Sequence, residues 1–145
     1  RGTVVRVHDV LRQAFEGGHL FLDVYRQAAG EDYRVVIGRA LDHSQVVLVV
    51  IGMRWLTVSG RDGKRRIDDP EDMVRIEIET ALARGLKVIP LLVQAATMPT
   101  AAQLPPTLHG LAYLTALQLR PDPDFKPDMQ RLITALRTLS ASATG

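Results

Sequence analysis

Gln45-Val46-Val47-Leu48-Val49-Val50-Ile51 is apolar after its first residue and almost wholly β-branched, with no polar residue at every second position. A strand with one wet face alternates. A continuous apolar run of this length is what a parallel strand covered by helices on both faces requires. Lys87-Val88-Ile89-Pro90-Leu91-Leu92-Val93 has the same character. Pro90 counts against a strand there, because proline removes a ladder donor and prefers edges or bulges.

Between the two runs lies a polar loop, residues 52–68, with turn signals at Ser59-Gly60 and Asp62-Gly63. The chain then reads as a helix with Asp69 as its cap and Pro70 at the first helical position. Glu71 and Asp72 complement its dipole, and it runs to about Arg84, with Gly85 just past its end. Toward the N-terminus, Asp32 is placed to cap a helix carrying Val35, Val36, Ile37, Ala40 and Leu41 as far as Ser44. A short strand over 19–23 precedes it, and an amphipathic helix over 3–16 ends at Gly17-Gly18. Toward the C-terminus, a connection with Pro99, Pro105 and Pro106 leads to a strand over 113–119. A final helix carries Phe125, Met129, Leu132, Ile133, Leu136 and Leu139.

Strands alternating with helices predict an open, doubly wound α/β fold. At 145 residues and 46% hydrophobic content, the chain suits one domain spanning 1–145. With 23% charged residues, a formal net charge of +2 and basic residues interleaved with acidic ones, no nucleic-acid footprint is expected. The absence of cysteine removes disulfides, thiolate metal sites and cysteine nucleophiles, and suits a reducing cytoplasm. The longest apolar run falls far short of the roughly 20 residues needed to cross a bilayer, so no membrane association is expected. The start at Arg1, without Met, reads as that of an excised or trimmed piece.

In open α/β sheets, ligands bind beyond the carboxyl ends of the strands. That rule selects the loop after Asp23, the loop after Ile51 and the first turns of the helix after Pro70. On that helix Val74, Ile78, Ala81 and Leu82 form the apolar stripe, while Arg75, Glu79 and Ala83 point away. Glu77 falls at the stripe's edge. Its neighbours three and four residues away are Met73, Val74, Thr80 and Ala81, none of them cationic, whereas Glu71 and Glu79 each have Arg75 four residues away. Glu77 is therefore either a boundary carboxylate reaching solvent or a distant arginine, or a partly desolvated carboxylate kept for chemistry. Helical spacing does not choose between these.

Several segments together resemble bacterial TIR domains. They are Leu20-Phe21-Leu22-Asp23-Val24, the long stretch from Ile37 to Leu56, and Arg66-Ile67-Asp68-Asp69-Pro70-Glu71-Asp72-Met73-Val74-Arg75-Ile76-Glu77-Ile78. Val88-Ile89-Pro90-Leu91-Leu92-Val93 and the Met98 to Pro105 connection continue the pattern. The resemblance covers nearly the whole chain. It implies a flavodoxin-like doubly wound parallel sheet, of which this chain holds about four strands. It also implies that Glu77 is the catalytic residue of an NAD⁺ nucleosidase. Nicotinamide leaves NAD⁺ as a neutral molecule, so one carboxylate suffices to hold the ribose and stabilise its oxocarbenium-like transition state. NAD⁺ is then a substrate, with no cofactor or metal. The expected partners are other TIR domains, whose association completes the site in signalling or antiphage defence.

The same resemblance makes Asp23, Tyr25, Trp55 and Met73 substrate-binding candidates. Asp23 through Gly30 corresponds to a loop that closes the site in relatives, although Tyr25-Arg26-Gln27-Ala28-Ala29-Gly30 departs from their acidic, proline-containing turn. Trp55 is the only tryptophan and reads either as a stacking platform or as a loop anchor. Met73 stands where relatives often carry an aromatic residue. Arg54, Arg61, Lys64, Arg65 and Arg66 read as pyrophosphate ligands or as a solvated basic loop. The family's first strand, which contributes to the nicotinamide pocket, is not found ahead of the helix over 3–16: either it is missing from this chain or another segment fills its place. His8, His19, His43 and His109 lack metal-ligand spacing, and neither a phosphate-binding glycine loop nor a GxSxG elbow occurs. Two further readings are a non-catalytic TIR interaction module and a deoxyribosyltransferase-like enzyme with Glu77 as nucleophile; the full-length TIR pattern argues against the second.

Overall fold

The computed structural model describes residues 20–21, 35, 46–59 and 63–144, with side chains as far as 138. They form an α/β structure around a four-stranded parallel sheet. The strands are β1 (Leu20–Phe21), β2 (Val46–Ile51), β3 (Lys87–Val93) and β4 (Leu117–Leu119). Two helices accompany them, α1 (Met73–Ala83) and α2 (Phe125–Thr144), with 3₁₀ turns at Arg66–Asp68, Ala101–Gln103 and Pro106–Tyr113.

The central pair explains why neither run alternates. Val47, Val49 and Ile51 of β2, with Val88 and Leu92 of β3, pack under Ile78 and Ala81 of α1 and under Leu104, Leu108 and Leu111. Val46 and Leu48, with Ile89, Leu91 and Val93, face the other way onto Phe125, Met129, Leu132 and Leu136 of α2. Both faces are dry. Burying each large aliphatic side chain contributes about 1.5–3 kcal/mol, against about 1 kcal/mol for a helix cap, so packing rather than capping holds the helices down. Pro90 pairs with Val49 of β2, while the ladder with β4 begins only at Leu91. On the β4 side Pro90 therefore faces no strand, which relieves the objection raised by its missing donor.

The sheet order is β1-β2-β3-β4, and β1 lies directly against β2, with Leu20 opposite Val46 and Phe21 opposite Val47. A flavodoxin-like order places the first strand between the two that follow it. Among the described residues no position between β1 and β2 is left open for such a strand.

Two boundaries differ from those expected by several residues. α1 starts at Met73, not Pro70, and its cap is Asp72, whose carboxylate accepts the backbone N–H of Arg75. Asp69 instead accepts the N–H of Glu71 at 2.9 Å, capping a turn ahead of the helix. Both aspartates satisfy the pattern for a cap, and periodicity does not rank them. The strand expected over 113–119 contracts to β4, because 106–113 closes into 3₁₀ turns. There Leu108 and Leu111, three apart, fall on one side and are wholly buried, leaving Tyr113 79% exposed. The C-terminus of α1 is as expected. Gly85 has φ 71°, and the bonds from Leu86 N to Ala81 O (3.0 Å) and Gly85 N to Leu82 O (3.1 Å) form a Schellman motif.

The helix over 3–16 and the loop from Asp23 to Gly30 lie outside the described residues. Of the helix expected after Asp32, Val35 is described; it is helical and exposed. No described helix is long and apolar enough to cross a membrane.

Candidate functional site

At the carboxyl ends of β2 and β3 the chain opens a cavity of about 230 Å³, lined by Ile51, Gly52, Met53, Trp55, Leu56, Ala95, Ala96 and Thr97. Two loops build it. After β2, the bond from Trp55 N to Gly52 O (3.1 Å) folds Gly52-Met53-Arg54-Trp55 into a tight turn, sending the indole inward, where it is 6% exposed. Trp55 thus does two things at once, anchoring the loop in the core beneath α1 and lining the cavity. After β3, the bond from Ala96 N to Val93 O (3.0 Å) closes a turn whose central residues, Gln94 and Ala95, have φ of 56° and 60°. Positive φ at both central positions is the mark of a type I′ turn, normally built from Asn and Gly. Glutamine and alanine adopt it only at a cost.

That cost can be measured. Ala95→Gly removes the Cβ clash, and after allowing for the extra freedom of glycine in the unfolded chain it should stabilise the protein by about 0.5–1 kcal/mol. Urea denaturation checks this. A destabilised Ala95→Gly variant would show that the turn is not strained.

Glu77 is 1% exposed, and with Ile78 and Ala81 it makes up the buried face of α1. It therefore lies on the stripe, not at its edge; a stripe drawn from hydrophobicity stops wherever the first charged residue stands. It sits four residues into α1, about 6 Å along the axis from the helix start. Glu77 does not line the cavity, and nor does Met73, which packs part-buried against the core beneath α1. Asp23 and Tyr25 lie outside the described residues. Of the candidates, the structure puts Trp55 at the cavity and Glu77 and Met73 on the neighbouring helix.

Arg75 and Glu79 do not face open solvent as expected, their side chains being 12% and 25% exposed. Arg75 donates to Glu79 at 2.8 Å, to the Ile67 carbonyl at 3.0 Å and to the Thr107 hydroxyl at 3.5 Å. Thr107 in turn donates to the Glu79 carboxylate. The network ties α1 to the turn before it and to the 3₁₀ segment beside it.

The basic loop does not converge on the cavity. Arg65 forms a two-pronged pair with Asp68 at 2.8 and 3.1 Å, which lowers the Asp68 pKa, and Arg66 lies 3.5 Å from Asp72. Arg54 and Lys64 are exposed, and Arg61 lies outside the described residues. His109 is bonded to the Leu104 carbonyl at 3.1 Å, and no cluster of His, Asp or Glu suited to a metal occurs among the described residues.

Two features escaped sequence reasoning. The Gln94–Thr97 loop has no glycine to flag its turn. Asp128, 1% exposed, accepts the Arg120 backbone N–H at 2.8 Å, the Arg120 guanidinium at 3.0 and 2.9 Å, and Arg131. Its only sequence signal was arginine three and eight residues away. These hydrogen bonds, that from the Arg120 side chain foremost, hold its carboxyl well below the usual carboxylate range.

Comparison with protein-family models and with curated proteins finds no match to this chain.

Proposed function

We propose that the chain is a TIR-type NAD⁺ nucleosidase whose sheet is a flavodoxin-like one without its first strand, the strands that would flank it pairing directly, and that it acts in the cytoplasm in signalling or antiphage defence. It cleaves NAD⁺ to nicotinamide and ADP-ribose or a cyclic form. The observation that carries this reading is a carboxylate, Glu77, 1% exposed on the buried face of α1 and about one turn from the start of that helix, which follows the loop at the carboxyl end of β2 where α/β folds bind ligands. In a dry setting a carboxylate stabilises a developing oxocarbenium ion far better than in water. The cavity nearby, at about 230 Å³, is smaller than the roughly 300–1,000 Å³ of pockets for drug-sized ligands, so it suits one ring rather than a dinucleotide.

Because Glu77 is closed to solvent in the single chain, this reading requires association with other TIR domains to open it. Nicotinamide release from NAD⁺ is therefore expected to rise more steeply than protein concentration, and to appear when the protein is clustered on beads. No release by clustered protein would overturn the enzyme reading. The second reading, a non-catalytic TIR interaction module, is favoured by one observation: Glu77 does not line the cavity.

A further inference from the structure

We propose that the cavity between the β2 and β3 loops binds a planar heteroaromatic ring carrying an adjacent hydrogen-bond donor and acceptor, and that Gln94 selects for that edge. The proposal deepens the nucleosidase reading by naming a specificity residue, and it rests on that reading for the ring's origin in NAD⁺. The walls favour a flat apolar body: Ile51, Leu56, Ala95 and Ala96 are aliphatic, and Trp55 offers an indole. Polar surface is as much a part of the lining as apolar surface, which suits a ring with hydrogen-bonding edges.

Gln94 is exposed next to the cavity, between Val93 and the lining residue Ala95, and is not itself part of the wall. The positive-φ turn brings its carboxamide back over β2, with Oε1 3.3 Å from where a Cβ on Gly52 would stand. A Cβ at position 52 would therefore crowd the amide, which lies beside that residue of the cavity wall. A carboxamide presents one donor and one acceptor edge, the complement of another amide or of an adenine edge.

Trp55, the only tryptophan, makes binding visible. Saturable quenching of its fluorescence is expected on titration with nicotinamide or with adenosine, the stronger of the two identifying which end of NAD⁺ the cavity takes. Gln94→Ala should weaken that binding about tenfold, the worth of one hydrogen-bonded edge, while leaving binding of pyridine or benzene unchanged. Gly52→Ala, which pushes the amide aside, should act in the same direction. Circular dichroism confirms that each variant is folded. Absence of saturable quenching by either ligand overturns the site, and unchanged affinity in Gln94→Ala overturns the role of Gln94. Saturable quenching of the parent protein, with no NAD⁺ cleavage by the same protein clustered on beads, would sink the nucleosidase reading and leave this one standing.

Discussion

Glu77→Gln is expected to lower nicotinamide release by at least about 100-fold, with little change in KM and a melting temperature within a few degrees of the parent. Glutamine keeps the shape of the side chain and much of its hydrogen-bonding capacity but cannot carry the negative charge that answers the oxocarbenium ion. Substrate binding draws on the rings and phosphates and survives, so the loss falls on kcat. Glu77 is 1% exposed on the buried face of α1, so a purely structural charge would show itself differently. In that case Glu77→Gln would lose stability and activity together. Equal activity in parent and variant would remove Glu77 from the chemistry.

The second large effect is on stability. Asp128→Ala should destabilise the protein by about 2 kcal/mol at pH 7, since it strips the Arg120 backbone N–H and two guanidinium groups of a shared acceptor. The figure is kept modest because the arginine side chains, 48% and 57% exposed, turn to water when the carboxylate is gone. The pH dependence has a definite sign. The folded-state pKa of Asp128 is lowered, so its contribution is fully present above the unfolded value of about 3.9 and is lost as the pH falls below it toward the folded value. Urea melts at pH 7 and pH 3 should therefore show the gap between parent and Asp128→Ala narrowing in acid. A gap that is constant or widens would mean that the carboxylate is not what joins β4 to α2.

Most of the sheet was legible because its strands are dry on both sides, and a dry strand announces itself by composition. Lys87–Val93 matches the expected strand residue for residue, and Val46–Ile51 misses only Gln45. Gly85 was legible for another reason, since helix ends that need positive φ usually take glycine. Position 95 needs positive φ as well but carries alanine, so the turn that shapes the cavity left no mark. The 3₁₀ segment was hidden because Leu108, Leu111 and Tyr113 also suit a strand approach, and only the fold says which of them is buried. For Glu77 the spacing was readable and the depth was not: burial of a carboxylate depends on what packs over the helix, and the periodicity of one helix holds no record of that.

The sequential order of the described sheet bears on how the chain assembles. Parallel strands cannot be joined by a tight turn, so each pairing must wait for a crossover to close. When every strand lies beside its chain neighbour, as from β1 through β4, each closure spans a single crossover and none has to await the return of a distant segment. The entropic cost of each step is then the smallest a parallel sheet allows, and assembly is expected to proceed by accretion from the β2–β3 pair, the longest ladder, outward to its short edges.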